Sequence, residues 1–574
     1  MDTGVALANA DWIAIVVYLT FIVALGLWFG RFTKSTEDFF FGGRRFSWWL
    51  VGFSCVATLV GSYSFINYSE VGFGYGLSSV TNYTNDWFVL PLFLLGWLPI
   101  IYFNRIVSIP EYFERRYGRR IRVLVLILMM VYLEGYIGIN LLTIGVAMNG
   151  LFGWNVVMSA AGMAVISGLY LHAGGQTSVL MTDLVQGFLL LAAGLVVFLL
   201  GISYVGGFDN FWQSLPQVHR LPFAGFNSPP EFHFVGEFWG DAMAGTLAFY
   251  FINQGVLMRF LSARSVQEGR KAMLFVAALL MPIAAIAVGG GGWIGRALVE
   301  TGVMSPEIAG RDVFIAVARI VCQPGVFGLV VAAMIAALMS TLDTLLSAVS
   351  AVAVNDVWRL VRPDQPDAYY LSAARWASAL ATVVGVLLIP VFQQFASIYQ
   401  AMSHFTSVIT PPLVVVVVLG VVWSKFTARA AALTLILGSV AMVLSLIEPA
   451  IITPIAHGVD PSQGYSYIRS FFGLLVSVFI GVVVTLFDRQ GWVAAGEPGL
   501  SMATLNTAVR MFKGGEPNYE GSGNQTTLRF QVIDEVSDVV RLPSQSMQAL
   551  QAKEGDLLYI SDTRWWLGGF GLPM

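Results

Sequence analysis

Residues 331–356 read VAAMIAALMSTLDTLLSAVSAVAVND, a run without lysine or arginine whose middle carries Ser340, Thr341, Asp343 and Thr344. Its apolar residues fall on every face of a helix, the pattern of a segment buried all round or crossing a membrane. Ser340, Asp343 and Thr344 stand at i, i+3 and i+4 and share a face, Thr341 adjoins them, and the carbonyl of Ala337 lies one turn earlier. A carboxylate at mid-membrane costs about 3 kcal/mol or more unless it is paired, ligating or protonated, so Asp343 is expected to face a bundle interior. Two readings of the hydroxyls stand side by side: bonds back to carbonyls one turn earlier, or convergence on a cation. A dehydrated sodium ion takes about five or six hard oxygen ligands, which a membrane interior supplies as hydroxyls, carboxylates and carbonyls freed where a helix unwinds.

The rest of the chain matches this stretch. Of 574 residues 57% are hydrophobic and 11% charged, and the mean hydropathy is +0.73, values a water-soluble fold could carry only by exposing large apolar patches. Uncharged runs long enough to cross roughly 30 Å of hydrocarbon number about thirteen between Asp11 and Asp488. The chain reads as an all-α integral membrane protein in contact with the lipid bilayer. The first run follows an acidic start without a basic leader and is expected to be retained. Alternate loops hold about 19 lysines and arginines and the opposite set about five, which predicts an N-terminus outside and a C-terminus in the cytoplasm of a cell membrane, inner or plasma. A net charge of −3 that follows topology leaves no nucleic-acid footprint. Cys55 and Cys322 fall at different depths, which argues against a disulfide or a cysteine metal site.

Ten of the runs lie between about Trp48 and Phe426, and each half of them opens on a long segment broken by small or polar residues, VATLVGSYSFINYSEVGFGYG and DAMAGTLAFYFINQGVLMR. Breaks at matching positions suggest inverted repeats, with ligands held where the backbone unwinds; glycines that only let helices pack closely are the plainer alternative. The predicted organisation is an extra helix and loop over 1–46, a first repeat over 47–206, an extracytoplasmic loop over 207–236, a second repeat over 237–426, two further spans over 427–490, and a linker with an appendage over 491–574. In that last part LRFQVID, VVRLP and LLYIS are separated by turn signals, so a small, mainly β cytoplasmic appendage is expected, with a cytoplasmic partner as one use for it.

The stretches STEDFFFGGRRFSWWLVGFS, SIPEYFERRYG, GGQTSVLMTDLVQ, INQGVLMRFLSARSVQEGRKA, AALMSTLDTLLSAVSAVAVNDVW and TPPLVVVVVLGVVWSKFT, in this order, resemble the sodium:solute symporter family over roughly residues 10 to 490. The resemblance implies a five-plus-five inverted-repeat core of the LeuT type, with one helix before it and two after. It also implies Na+ as the coupling ion, held by Ala337, Ser340 and Thr341 on one side and by the carbonyls of Ala57 and Val60 on the other. Asp183 resembles the acid that some members use at an additional sodium site, where the family often has a hydroxyl in place of Asp343. A second cation site of Asp183, Ser340, Asp343 and Thr344 is therefore expected, for sodium or with one carboxyl protonated, since two adjacent carboxylates resist joint ionisation. Separate bonding of each acid to backbone or water is the alternative.

A pocket for a small-molecule solute is expected where the two broken helices meet, lined by Ser62, Tyr63, Ser64, Asn140, Tyr250, Phe251 and Asn253. Asn253 falls where sugar-transporting relatives place a polar contact. No arginine or lysine is expected within the central spans near this pocket. Glu134, about halfway along its span, together with Glu70 and Asp86, leaves room for an amine-bearing solute. His404 reads as a structural histidine or as a proton shuttle. No nucleophile, base and oxyanion set is present, so an enzyme is not expected. The function that follows is sodium-coupled symport of a small polar organic solute by alternating access. The alternatives are a proton-coupled carrier using Asp183 and Asp343, and a sensor signalling through the tail.

Overall fold

A computed structural model describes residues 7–61, 64–395, 398–456, 465–488, 497–512, 524, 526–529, 541–553, 559–560 and 572–573. Among these, ten helices are long and apolar enough to cross a membrane. They are α1 (Asn9–Gly30), α3 (Ser64–Phe103), α4 (Arg119–Phe152), α5 (Val156–Tyr204), α8 (Val266–Glu300), α9 (Val326–Val361), α10 (Asp367–Phe392), α11 (Ala401–Val422), α12 (Ala428–Ile447) and α13 (Ser466–Phe487). The short helices α2 (Trp48–Leu59), α6 (234–251) and α7 (Gln254–Leu261) complete the bundle.

The thirteen expected runs fall on ten long apolar helices and the short helices between them, and the difference lies in where helices are joined or broken. The runs at 154–172 and 177–206 are the two arms of α5, joined at a kink at Gly175, whose φ 51° and ψ −142° are not helical. A side chain on Gly175 would meet the carbonyl of Phe39 at 2.5 Å, so glycine is needed there for both conformation and space. The run at 47–76 is divided between α2 and α3, and that at 238–260 between α6 and α7.

Helix α9 is the centre. In its most apolar window 94% of residues are buried, against 22% in α1, which is the contrast between a helix walled by protein and one facing lipid. It packs on α5, α4, α1 and α10. The lipid-facing side is visible on α10, where Trp376, Leu380, Val383 and Leu387 are exposed at helical spacing. Close approach of α3 to α8 depends on the run Gly289–Gly292: Ser69 Oγ donates to the Val288 carbonyl at 2.6 Å, and a side chain at Gly292 would stand 2.1 Å from the Ser69 carbonyl.

The mainly β appendage is overturned. Among the described residues the tail is helical at α14 (Leu505–Phe512) and α15 (Ser544–Leu550), and its strands are one antiparallel pair of two residues each, β1 (Tyr559–Ile560) and β2 (Leu572–Pro573). Of the three expected strands only part of LLYIS is extended and paired; residues 528–529 and 541–543 are irregular, and 530–540 lie outside the described residues. Leu505, Ala508 and Phe512 follow helical rather than alternating spacing, and Phe512 packs on Phe103 and Tyr102 with ring centroids 5.2 and 5.9 Å apart. Glu497 pairs with Arg115 at 2.7 Å and Tyr112 donates to the Leu500 carbonyl at 3.1 Å, which docks the start of the tail on the short helix Ile109–Tyr117 that follows α3. The aromatic stretch TRWWLGGFG lies outside the described residues.

Replacing Gly292 by alanine is expected to lower stability by about 1–3 kcal/mol through overpacking against backbone. The thermal unfolding midpoint of the detergent-solubilised protein measures this, with Gly74→Ala, which meets nothing within 4 Å, as the unchanged reference.

Candidate functional site

Helix α2 ends at Leu59 because VGSYS cannot continue it: Val60 leaves helical geometry at φ −95° and ψ 68°, and Gly61 follows. The gap lies against the polar centre of α9, and a side chain on Gly61 would stand 2.4 Å from Thr341 Oγ1. The Thr341 hydroxyl lies 3.1 Å from the Thr58 carbonyl and 3.3 Å from that of Ala337, placing its one proton between two carbonyls of different helices. Ala57 and Val60 are fully buried at the same broken end. Thr341 therefore makes the backward bond expected of a membrane threonine and also faces a second helix that contributes free carbonyls.

Ser340 turns the other way and donates to Asp183 Oδ1 at 2.7 Å. The second oxygen of Asp183 accepts from Ser54 at 2.6 Å and from Arg259 Nη2 at 2.6 Å. Arg259 also donates through Nε to Ser54 at 2.9 Å, through Nη1 to the Gly255 carbonyl at 3.2 Å, and through Nη2 to the Thr344 hydroxyl. Both charged partners are wholly buried. The bidentate reach of a guanidinium lets one side chain tie α2, α5, α7 and α9 together. Asp343 stands apart from Arg259 and accepts a hydrogen bond from Tyr170.

The absence of arginine from the central spans is thus corrected. Arg259 begins the basic stretch RFLSAR and counts with a loop in the sequence, yet the chain restarts at the break and keeps it inside. Asn253 Oδ1 caps the new helix by accepting from the Gly255 and Val256 amides at 3.0 and 3.3 Å. A side chain on Gly255 would meet Thr344 Cγ2 at 2.4 Å, so α7 lies directly on α9, and Arg259, one turn on, points the same way.

Beyond Thr58 and Thr341 a cavity of about 150 Å³ extends between α3, α4, α6, α11 and α13, with Glu237 and Tyr467 at its far end. Three acids line it. Asp86 accepts from the Tyr250 hydroxyl at 2.7 Å, Asp241 from Asn85 Nδ2 at 3.1 Å, and Glu237 from the Tyr467 hydroxyl at 2.6 Å. Of the residues expected in the pocket, Ser64, Asn140 and Tyr250 line the cavity. Glu134, Phe251 and Asn253 do not: Phe251 stacks on Trp97 with centroids 5.6 Å apart, and Asn253 is a cap. Ser62 and Tyr63 lie outside the described residues. The sequence reading missed Glu237, Asp241 and Tyr467; an acid inside the apolar run at 238–260 was the available signal. His404 pairs through Nδ1 with Arg469 Nη1 at 3.1 Å.

The family profile described as Sodium:solute symporter family matches residues 39–438. The chain belongs to the sodium:solute symporter family. It is 27% identical over 466 residues to a sodium/glucose cotransporter of Vibrio parahaemolyticus, covering 74% of this chain and 83% of that one. It is 25% identical over 606 residues to sodium/myo-inositol cotransporter 2 of Oryctolagus cuniculus, covering 95% and 89%. A solved structure, the substrate-bound outward-open state of a Na+-coupled sialic acid symporter, superposes with a TM-score of 0.70 at 19% identity, covering 84% of this chain and 98% of that one, and shares the LeuT-type fold. This family member is a multi-pass membrane transporter that couples sodium to the movement of a small polar solute by alternating access; it is not an enzyme.

Removing one partner of a buried ion pair strands the other. Asp183→Asn is expected to destabilise the protein by about 3–5 kcal/mol, and Asp183→Asn with Arg259→Met to recover a substantial part of that loss. Thermal unfolding of the two variants in detergent checks both signs.

Proposed function

We propose that sodium binds at the break of α2, among the carbonyls of Ala57, Thr58, Val60 and Ala337 and the Thr341 hydroxyl, with the Ser340 oxygen, whose proton goes to Asp183, joining when the ion enters, and that this ion drives solute through the adjoining cavity. The observation that carries the reading is the Thr341 hydroxyl held between carbonyls of α2 and α9, in contact with the cavity wall. The donor set is all oxygen, as a hard monovalent cation requires. An ion shared by two helices favours the arrangement in which they are close, and solute bound beside it favours the same arrangement. Coupling is then a difference in affinity between states, and it is reciprocal.

The second cation site expected at Asp183, Ser340, Asp343 and Thr344 is, in this reading, served by Arg259. Its guanidinium neutralises Asp183 and contacts Thr344, positions a second sodium would need. One sodium per solute follows, and Asp183 is withdrawn from any proton relay. With the two arms of α3 and of α5 and the broken segment α6–α7 counted as separate crossings, the number is odd, and we read the loop charges as an N-terminus outside and a C-terminus in the cytoplasm of a cell membrane.

Ser340→Ala with Thr341→Ala is expected to raise the sodium concentration for half-maximal uptake in proteoliposomes at least tenfold. Unchanged sodium dependence would remove the proposed site. Parallel isotope fluxes of sodium and solute are expected in a ratio of one; a ratio of two would return Asp183 to sodium binding.

A further inference from the structure

We infer that the solute this cavity takes is an organic cation, an amine or ammonium compound held by Asp86 and Asp241. The inference rests on reading the cavity as the solute site and adds its charge class. Three carboxyl groups line the cavity, and no lysine, arginine or histidine does among the described residues. Asp86 and Asp241 are held by neutral donors, the Tyr250 hydroxyl and the Asn85 amide, and neither is in an ion pair among the described residues. The two stand close together, since Asn85, which bonds Asp241, is the chain neighbour of Asp86. Arg259 is committed to Asp183 and does not line the cavity.

A carboxylate without a counter-charge in a membrane interior is costly, and neutral hydrogen bonds offset only part of that cost. A hydroxylated neutral solute would fill the hydrogen bonds and leave an ionised carboxylate without a counter-charge. A cation fills both needs. The remaining lining suits the same guest: Tyr136 and Phe249 meet edge to face at 6.5 Å and 73°, and Tyr68 and Tyr83 at 5.2 Å and 89°, all four on the cavity wall that the acids share. Aromatic walls beside carboxylates are the environment in which ammonium groups are bound. Asn140 supplies an independent sign. It lines the cavity, is 2% exposed, and its Oδ1 has no hydrogen-bond partner among the described residues, an acceptor that a donor-only group such as an ammonium would satisfy.

The test is uptake by the full chain in proteoliposomes under an inward sodium gradient. The probes are choline, ethanolamine and putrescine, with dimethylbutanol as the neutral carbon isostere of choline, and glucose and myo-inositol as neutral hydroxylated solutes. At least one cation is expected to be taken up tenfold faster than every neutral probe. Asp241→Asn and Asp86→Asn are each expected to lower that uptake at least tenfold, while Asp241→Glu, which keeps the charge, retains it within threefold. Uptake of a neutral probe matching that of the cations, uptake of none of the three cations, or cation uptake that survives both neutralising substitutions overturns the inference. Cation uptake that ignores the sodium gradient upholds the solute class and counts against the sodium site instead, so the two readings fail separately.

Discussion

A guanidinium and a carboxylate, both shut away from solvent, hold the centre of this protein together. Arg259 and Asp183 sit on helices that are distant in sequence, and through Ser54, Ser340 and Thr344 they reach two more. A buried pair of this kind adds little net stability against an apolar replacement, but it penalises any arrangement that separates the partners. It fixes the register of α7 against α9 and so places the broken ends of α2 and α6 around one cavity. Motion between states has to respect this clamp or exchange its bonds in concert.

Polar chemistry in this bundle is confined to places where regular helix fails. Carbonyls become available at Val60 and at Ile252–Asn253, where the chain leaves helical geometry, and the hydroxyls and acids of α9 and α5 are gathered opposite the first of these breaks. Within the regular helices backbone groups are satisfied by neighbouring turns, as a hydrocarbon environment demands. Glycine gives the close approach that makes the gathering possible: at Gly61 to Thr341, at Gly255 to Thr344, at Gly292 to Ser69.

Much of this was legible in the sequence. Charged and hydroxylated residues in the apolar run at 331–356 marked α9 as an interior helix, and the interruptions after Leu59 and before Gln254 marked the two breaks. Ser340 and Asp183 were expected to share a cation; the structure joins them by a hydrogen bond. Arg259 was not legible, because its neighbours are loop-like and depth in a broken helix cannot be counted from the charged end. The cavity acids escaped for another reason: Asp241 and Glu237 acquire meaning only when Asn85 and Tyr467, far away in the chain, are set beside them. In the tail, period-two patterning over short stretches suggested strands, whereas Leu505, Ala508 and Phe512 follow the period of a helix laid on existing protein.

That helix bears on how the molecule is made. Tyr102 and Phe103, at the end of α3, are covered by Phe512, and Asn104 donates to the Gly499 carbonyl at 3.0 Å. A chain leaving the ribosome N-terminus first lays down α3 some 400 residues before its cover arrives. Until then the rings of Tyr102 and Phe103 lack this cover, and a chain truncated before Phe512 leaves them without it. Closure of the notch by α14 thus makes synthesis past Phe512 a condition for hiding these aromatic rings.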